Sequence, residues 1–299
     1  MAISGSTEPG ADLLSKKELL KIVAERRVAE FLPGEWESLK PGSGYDFEGL
    51  REFGPGDPIS QIDWLTRART GKLYVREFLA ESHYNLMLIL DLSTSMAWGR
   101  KTSLADTIAV SLAWSALTTN NTFGLLLWAD KLIYYLPPGT GLEHFTSLVT
   151  ALVHHQPRQK SSFTLTSCMN YLKKLPFQSL TFLLSDLLNP LDEADLVIAG
   201  HEIKVLQLLE EIEKEMPDNL SGLIDCVDPE TGNEYLLDLG RWPGYNRSMT
   251  AFLKQIKEQL THAGIPSTTI TPADNFVTKI NALDRLQPAA DRIRHQIRQ

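Results

Sequence analysis

The sequence predicts a doubly wound α/β fold around a mostly parallel six-stranded sheet. Three observations carry that reading. The run Leu86-Met87-Leu88-Ile89-Leu90 is apolar at every position, the pattern of a strand buried on both faces of a parallel sheet. Beyond Ser82, strand-like and helix-like runs alternate, the order that places a parallel sheet between helices. The first of these strands ends in Asp91 and the fourth runs into Ser185-Asp186. Polar groups that end apolar strands belong where such a sheet opens to a ligand.

Taken in order, strands are expected at 84–91, 123–128, 132–136, 180–185, 203–209 and 266–271. Helices are expected at 103–118, 142–154, 165–175, 192–200, 245–263 and near 274–284. Ser103, three residues before Asp106, reads as the N-cap of the first helix, with Leu104, Ile108, Leu112 and Ala116 as its stripe. The close approach of two strands at Ala129-Asp130-Lys131 predicts one antiparallel edge strand. Asp228-Pro229-Glu230-Thr231-Gly232-Asn233 reads as the turn of an inserted hairpin, 223–227 with 234–238.

The segment before this domain has another texture. Leu13, Leu14, Leu19, Leu20 and Val23 fall near helical spacing, and 34–71 is rich in Gly, Pro and Asp, which reads as short strands and loops. Leu73 to Phe78 reads as a strand. The expected division is a tail over 1–12, a helix and small β segment over 13–83, the α/β domain over 84–285 and a basic tail over 286–299.

Composition narrows the function class. A formal charge of -8 argues against general nucleic-acid or anionic-membrane binding, where phosphates call for a basic face. No stretch approaches the roughly 18 apolar residues of a membrane span. Met1 to Asp12 lacks the apolar core of a signal peptide. Cys168 and Cys226 are the only cysteines and form no Cys-x-x-Cys pair. Two free thiols fit a reducing compartment, so the cytoplasm is the expected location.

Asp91-Leu92-Ser93-Thr94-Ser95 is the candidate site. One carboxylate and two hydroxyls at period-2 spacing can converge on a point, and oxygen-only sets suit a hard divalent cation such as Mg²⁺. The alternative is a turn in which Asp91 caps backbone groups and the serines bond locally. In the strand order 3-2-1-4-5-6 the first and fourth strands lie side by side at the switch point, so Asp91 and Asp186 share one crevice. That weighs toward the cation.

Asp-x-Ser-x-Ser after the first strand and Ser-Asp after the fourth resemble the metal-ion-dependent adhesion site of von Willebrand A-type domains. A longer pattern is similar to the bacterial domain-of-unknown-function family 58. It comprises Phe47-Glu48-Gly49-Leu50-Arg51-Glu52-Phe53, Pro55-Gly56-Asp57, Ile62-Asp63-Trp64, Ala68-Arg69, Val75-Arg76-Glu77-Phe78, His201-Glu202-Ile203, Asp228-Pro229-Glu230-Thr231-Gly232 and His262-Ala263-Gly264-Ile265. The resemblance covers about residues 40 to 285. It implies a von Willebrand A-like domain that works beside a MoxR-type AAA+ ATPase. It also implies that Ser93 and Ser95 ligate the cation directly, with Asp91 and Asp186 acting mainly through bound water. Where that family carries a ligating Thr before its next helix, this chain has Phe163, with Thr164 one place later. Thr164 is therefore a candidate ligand. Thr164 and Thr166 serve equally as N-caps, which is the expected role of Thr166. A weak cation site, filled at millimolar Mg²⁺, is the expectation. Arg51, Glu52, Asp57, Asp63, Arg69, Arg76 and Glu77 read as a structural salt-bridge network first and as an ATPase-docking surface second.

Three motifs carry no chemistry. Pro137-Pro138-Gly139-Thr140-Gly141 lacks the lysine of a phosphate loop, His201-Glu202 has no second histidine, and His154-His155 point to different sides of a helix. The expected function is a non-enzymatic, cation-dependent protein-interaction module, an adaptor or chaperone-like partner of the ATPase acting on a client protein. The alternatives are a Mg²⁺-dependent phosphohydrolase and a structural domain with a degenerate site.

Overall fold

The computed structural model describes residues 20, 46–54, 57, 59–79, 84–155, 157, 161–189, 201–217, 222–227, 233–238 and 244–284. The chain forms two compact units, one of Leu32–His83 and one of Met1–Phe31 with Tyr84–Gln299. The helix expected near 13–23 (apart from Leu20), the helix expected at 192–200 and the tails lie outside the described residues.

In the smaller unit, β1 (Asp46–Glu52) pairs antiparallel with β2 (Tyr74–Leu79), and α1 (Trp64–Thr70) lies between them in sequence. The helix corrects the expectation of strands and loops alone over 34–71. Asp63 starts it by accepting hydrogen bonds from the Leu65 and Thr66 N–H groups at 2.9 and 3.0 Å. Arg51 clamps Asp57 through two bonds of 2.9 and 3.0 Å, and Lys72 reaches Glu52 at 2.8 Å. Arg51, Glu52, Asp57 and Asp63 thus brace their own unit. Arg69 is exposed, and the side chains of Arg76 and Glu77 lie outside the description.

The larger unit is the α/β domain. Its strands and helices run β3 (Asn85–Asp91), α2 (Lys101–Thr118), β4 (Thr122–Trp128), β5 (Leu132–Gly139), α3 (Leu142–His154), α4 (Leu165–Leu172), β6 (Ser179–Ser185), β7 (His201–Leu208), α5 (Glu211–Lys214), β8 (Leu223–Val227), β9 (Glu234–Asp238), α6 (Tyr245–His262), β10 (Ser267–Ile270) and α7 (Phe276–Asp284). Six strands form one sheet in the order β10-β7-β6-β3-β4-β5, parallel except for β5. This is the 3-2-1-4-5-6 order expected from the alternation, with β3 and β6 adjacent at its centre.

β3 is central because it can be. Leu86 to Leu90 are all buried, so both of its faces need helices. On one face Met87, Ile89, Leu126, Leu183 and Val205 pack with Cys168, Met169 and Leu172 of α4 and Ile256 and Leu260 of α6. On the other, Phe123 of β4 and Trp114 of α2 meet Phe145 of α3 at ring separations of 6.4 and 5.0 Å. Burying one such Leu or Ile stabilises the fold by about 1.5–3 kcal/mol.

At the antiparallel edge, the register of β4 against β5 slips beside Gly124, opposite Pro137-Pro138. A Cβ on Gly124 would lie 2.8 Å from the Leu136 carbonyl oxygen and 3.0 Å from the Pro138 nitrogen. Only glycine lets β5 approach so closely. β8 and β9 form the expected hairpin with the expected bounds, and the turn 228–232 lies outside the described residues.

Two helix caps differ from expectation. α2 begins at Lys101, so Ser103 lies inside it and is not its N-cap. The Arg100 N–H is taken instead by the Glu210 carboxylate, just past the carboxyl end of β7. α4 begins after Thr164, so Thr166 is likewise inside its helix and not its cap.

Candidate functional site

The carboxyl ends of β3 and β6 bring Asp91, Ser93, Ser95 and Asp186 to one crevice. Asp91 is buried, and its Oδ1 accepts from the Ser93 N–H at 2.7 Å, a tight Asx turn. Its Oδ2 accepts from Ser185 Oγ at 2.6 Å, which ties the first loop to the fourth strand. Ser93 Oγ and Ser95 Oγ are 3.0 Å apart and hydrogen-bonded to each other. The loop before α4 clasps the same turn. Thr94 N–H and Oγ1 donate to the Ser161 carbonyl at 3.0 and 3.1 Å, and the Ser161 N–H donates back to Thr94 Oγ1 at 2.9 Å.

Asp186 is also buried, and Lys101 Nζ lies 3.0 Å from its Oδ2. The next residue, Leu187, takes φ 47 and is buried in the apolar cluster. A left-handed backbone costs a leucine about 1–2 kcal/mol. Burial and the bond from its N–H to Ser185 Oγ at 3.1 Å hold it there, which fixes where Asp186 points.

Thr164 enters differently. Its N–H donates to the Ala129 carbonyl at 3.2 Å, and its side chain makes no capping bond to α4. Phe163 is half-buried and packs against the apolar cluster beneath α4 and α6. The position where a threonine ligand was expected therefore serves the core.

Charge is poorly compensated at Asp91. Burial above all, and then the charge of Asp186, push its carboxyl up to about 7, against the hydrogen bonds from Ser185 and Ser93 that favour the ionised form. Burial likewise raises the Cys168 thiol, with the Asp91 charge adding to the effect. Burial raises Glu213 too, while Lys101 beside it works the other way.

The donor set fits a hard divalent cation. Octahedral Mg²⁺ with ligands at 2.0–2.1 Å places adjacent oxygens about 2.9 Å apart, and the two serine hydroxyls stand at 3.0 Å. Among the described residues no cluster of three His, Cys, Asp or Glu side chains is arranged to hold a metal. A cation here would rest on hydroxyls as much as carboxylates, with Ser93 and Ser95 holding it and Asp91 and Asp186 balancing its charge.

A family model described as "Protein of unknown function DUF58" matches residues 49–255, more than half of the chain. The chain belongs to this family. Within it, this DUF58 member is 24% identical over 258 residues to uncharacterized proteins of Mycobacterium bovis and Mycobacterium tuberculosis, covering 83% of this chain and 81% of each relative. The match spans both the β1–β2 unit and most of the α/β domain. No helix among the described residues is long and apolar enough to cross a membrane.

Several residues of the crevice carried no local signal. Lys101, Glu210 and Glu213 are joined to it only by the fold. One clue was available: a lysine at the first position of a helix faces the positive end of its dipole, a placement that calls for carboxylates nearby.

Proposed function

We propose that this DUF58 chain is a non-catalytic, cation-dependent protein-binding module with a von Willebrand A-like domain, acting in the cytoplasm beside a MoxR-type AAA+ ATPase as an adaptor or chaperone-like partner for a client protein. The observation that carries the reading is the pair of hydroxyls, Ser93 Oγ and Ser95 Oγ, 3.0 Å apart in the turn that Asp91 caps, with the charge of Asp186 acting on the same carboxyl. Neutral ligands leave a divalent ion much of its charge, so a carboxylate from a partner can complete its shell. Mg²⁺ also keeps waters readily, and an incoming oxygen can replace one.

The phosphohydrolase alternative asks more of Asp91 than its surroundings give. Both of its oxygens accept hydrogen bonds, and the residue is 2% exposed. A nucleophilic carboxylate needs a free, accessible lone pair. Ser93, at the position where a second carboxylate would act as the acid, offers no such proton donor.

The test is a binding assay between the purified chain and a MoxR-type ATPase in Mg²⁺ and in EDTA. Binding should fall at least tenfold in EDTA or in Ser93→Ala. Equal binding by Ser93→Ala and wild type would show that the interaction does not use this crevice.

A further inference from the structure

The crevice already contains a cation of the protein's own. Lys101 is fully buried, and its ammonium lies 3.0 Å from Asp186 Oδ2 and 2.7 Å from Glu213 Oε1. A buried lysine is tolerated only where carboxylates pair with it, and this one also sits at the unfavourable end of an 18-residue helix. Its partners are anchored from other directions. The Gln207 side chain donates to the Asp186 carbonyl at 3.0 Å, the Glu210 N–H donates to Glu213 Oε2 at 2.8 Å, and Tyr245 OH donates to the Glu213 carbonyl at 2.7 Å. Lys101 therefore bridges the start of α2, the end of β6 and the short helix α5.

Building on the cation-binding reading above, we propose that Lys101 is a resident cation that competes with the divalent ion for Asp186, setting the affinity of the crevice low and coupling its loading to α5. A divalent ion at Ser93 and Ser95 needs the negative charge of Asp186, the same charge that neutralises the ammonium. Ion and ammonium repel each other across a buried space where charges are weakly screened. Loading thus pushes Lys101 off Asp186 and onto Glu213. The shift is transmitted to α5, where Ile212 is exposed, and to Trp98, whose half-exposed ring centroid lies 5.9 Å from the ammonium. Cation binding and the shape of this rim become one equilibrium.

Calorimetry on the full chain with Mg²⁺ alone tests the competition. Lys101→Met should bind roughly tenfold tighter. The double variant Lys101→Met/Glu213→Gln removes one positive and one negative group, so the net charge of the cluster is unchanged. It should still bind about threefold tighter or better, because the competitor itself is gone. Ser93→Ala added to Lys101→Met should abolish the binding. A wild-type measurement needs no altered fold: saturating Mg²⁺ should change the emission of Trp98, seen as the difference from Trp98→Phe.

Outcomes separate the two ideas. Equal affinity in wild type, Lys101→Met and the double variant, with binding still abolished by Ser93→Ala, overturns the role of Lys101 and leaves the cation site standing. Binding indifferent to Ser93→Ala, or none in any chain, overturns both. If the lysine variants do not fold, an unchanged Trp98 emission on calorimetrically saturated wild type overturns the coupling by itself.

Discussion

Replacing Asp91 with Asn isolates the charge that the fold buries at the end of β3. The carboxyl is raised on folding from 3.8 to about 7. Between those values the folded chain keeps a proton that the unfolded chain has released, so stability falls as pH rises through this window. Asp91's contribution is full below the unfolded value and lost above about 7. At about 1.4 kcal/mol per pKa unit, the change between about pH 5 and about pH 8.5 comes to about 3 kcal/mol, as an order of magnitude. Asp91→Asn removes the titration while keeping the shape. Its amide oxygen still accepts from Ser93, and its amide N–H can donate to Ser185 Oγ. Urea unfolding of both chains in EDTA, at the two pH values, reads the difference. Other shifted groups, among them Glu211, Glu213 and Asp274, titrate alike in both chains and cancel. The variant should gain on the wild type by roughly 2–3 kcal/mol as pH rises, and Mg²⁺ should return part of that to the wild type. A difference that stays constant across pH would refute the account of Asp91 as a buried, under-compensated carboxylate.

Gly99→Ala is expected to cost about 2–4 kcal/mol in urea unfolding, from left-handed strain and from displacing Glu210. Gly99 has φ 66, and a Cβ there would lie 2.5 Å from Glu210 Oε1. In a Glu210→Ala background only the strain, about 1–2 kcal/mol, should remain, and an equal cost in both backgrounds would remove Glu210 from the explanation. Phe163→Thr should lose about 2–4 kcal/mol of stability by opening space under α4, without tightening Mg²⁺ in calorimetry. A tenfold gain in affinity would mean that this position faces the crevice. The pure chain should turn over neither ATP nor GTP, because Pro137 to Gly139 end an edge strand and no lysine follows Gly141. Nucleotide hydrolysis reduced by a change within 137–143 would contradict that.

The sheet was legible because its strands are distinctive. Leu86 to Leu90 and Thr181 to Leu184 are too apolar for anything but the interior, and their polar ends place the crevice at the switch point. The hairpin showed itself in its turn residues. α1 was missed because none of its residues is buried, so it has no apolar stripe to read, and Asp63 as its cap was the only sign. The start of α2 misled for a different reason. Ser103 has the chemistry of a cap, but the group that satisfies the helix is Glu210, more than a hundred residues away. The same distance hid Lys101, whose partners Asp186 and Glu213 become neighbours only when β6 and α5 are in place. Short polar elements and ion pairs between remote loops depend on the tertiary fold, and local pattern cannot supply them.

Both margins of the sheet discourage growth by another strand. At one, Pro137 and Pro138 leave two successive residues of β5 without an N–H to offer a neighbour. At the other, β10 is only four residues long. An incoming strand would find a broken template on one side and a stub on the other. Self-association into extended sheets is thereby disfavoured even when the chain is concentrated. A partner is left to recognise this six-stranded sheet through loops and side chains, where sequence can set specificity, and not through its backbone ladder, which any strand could otherwise extend.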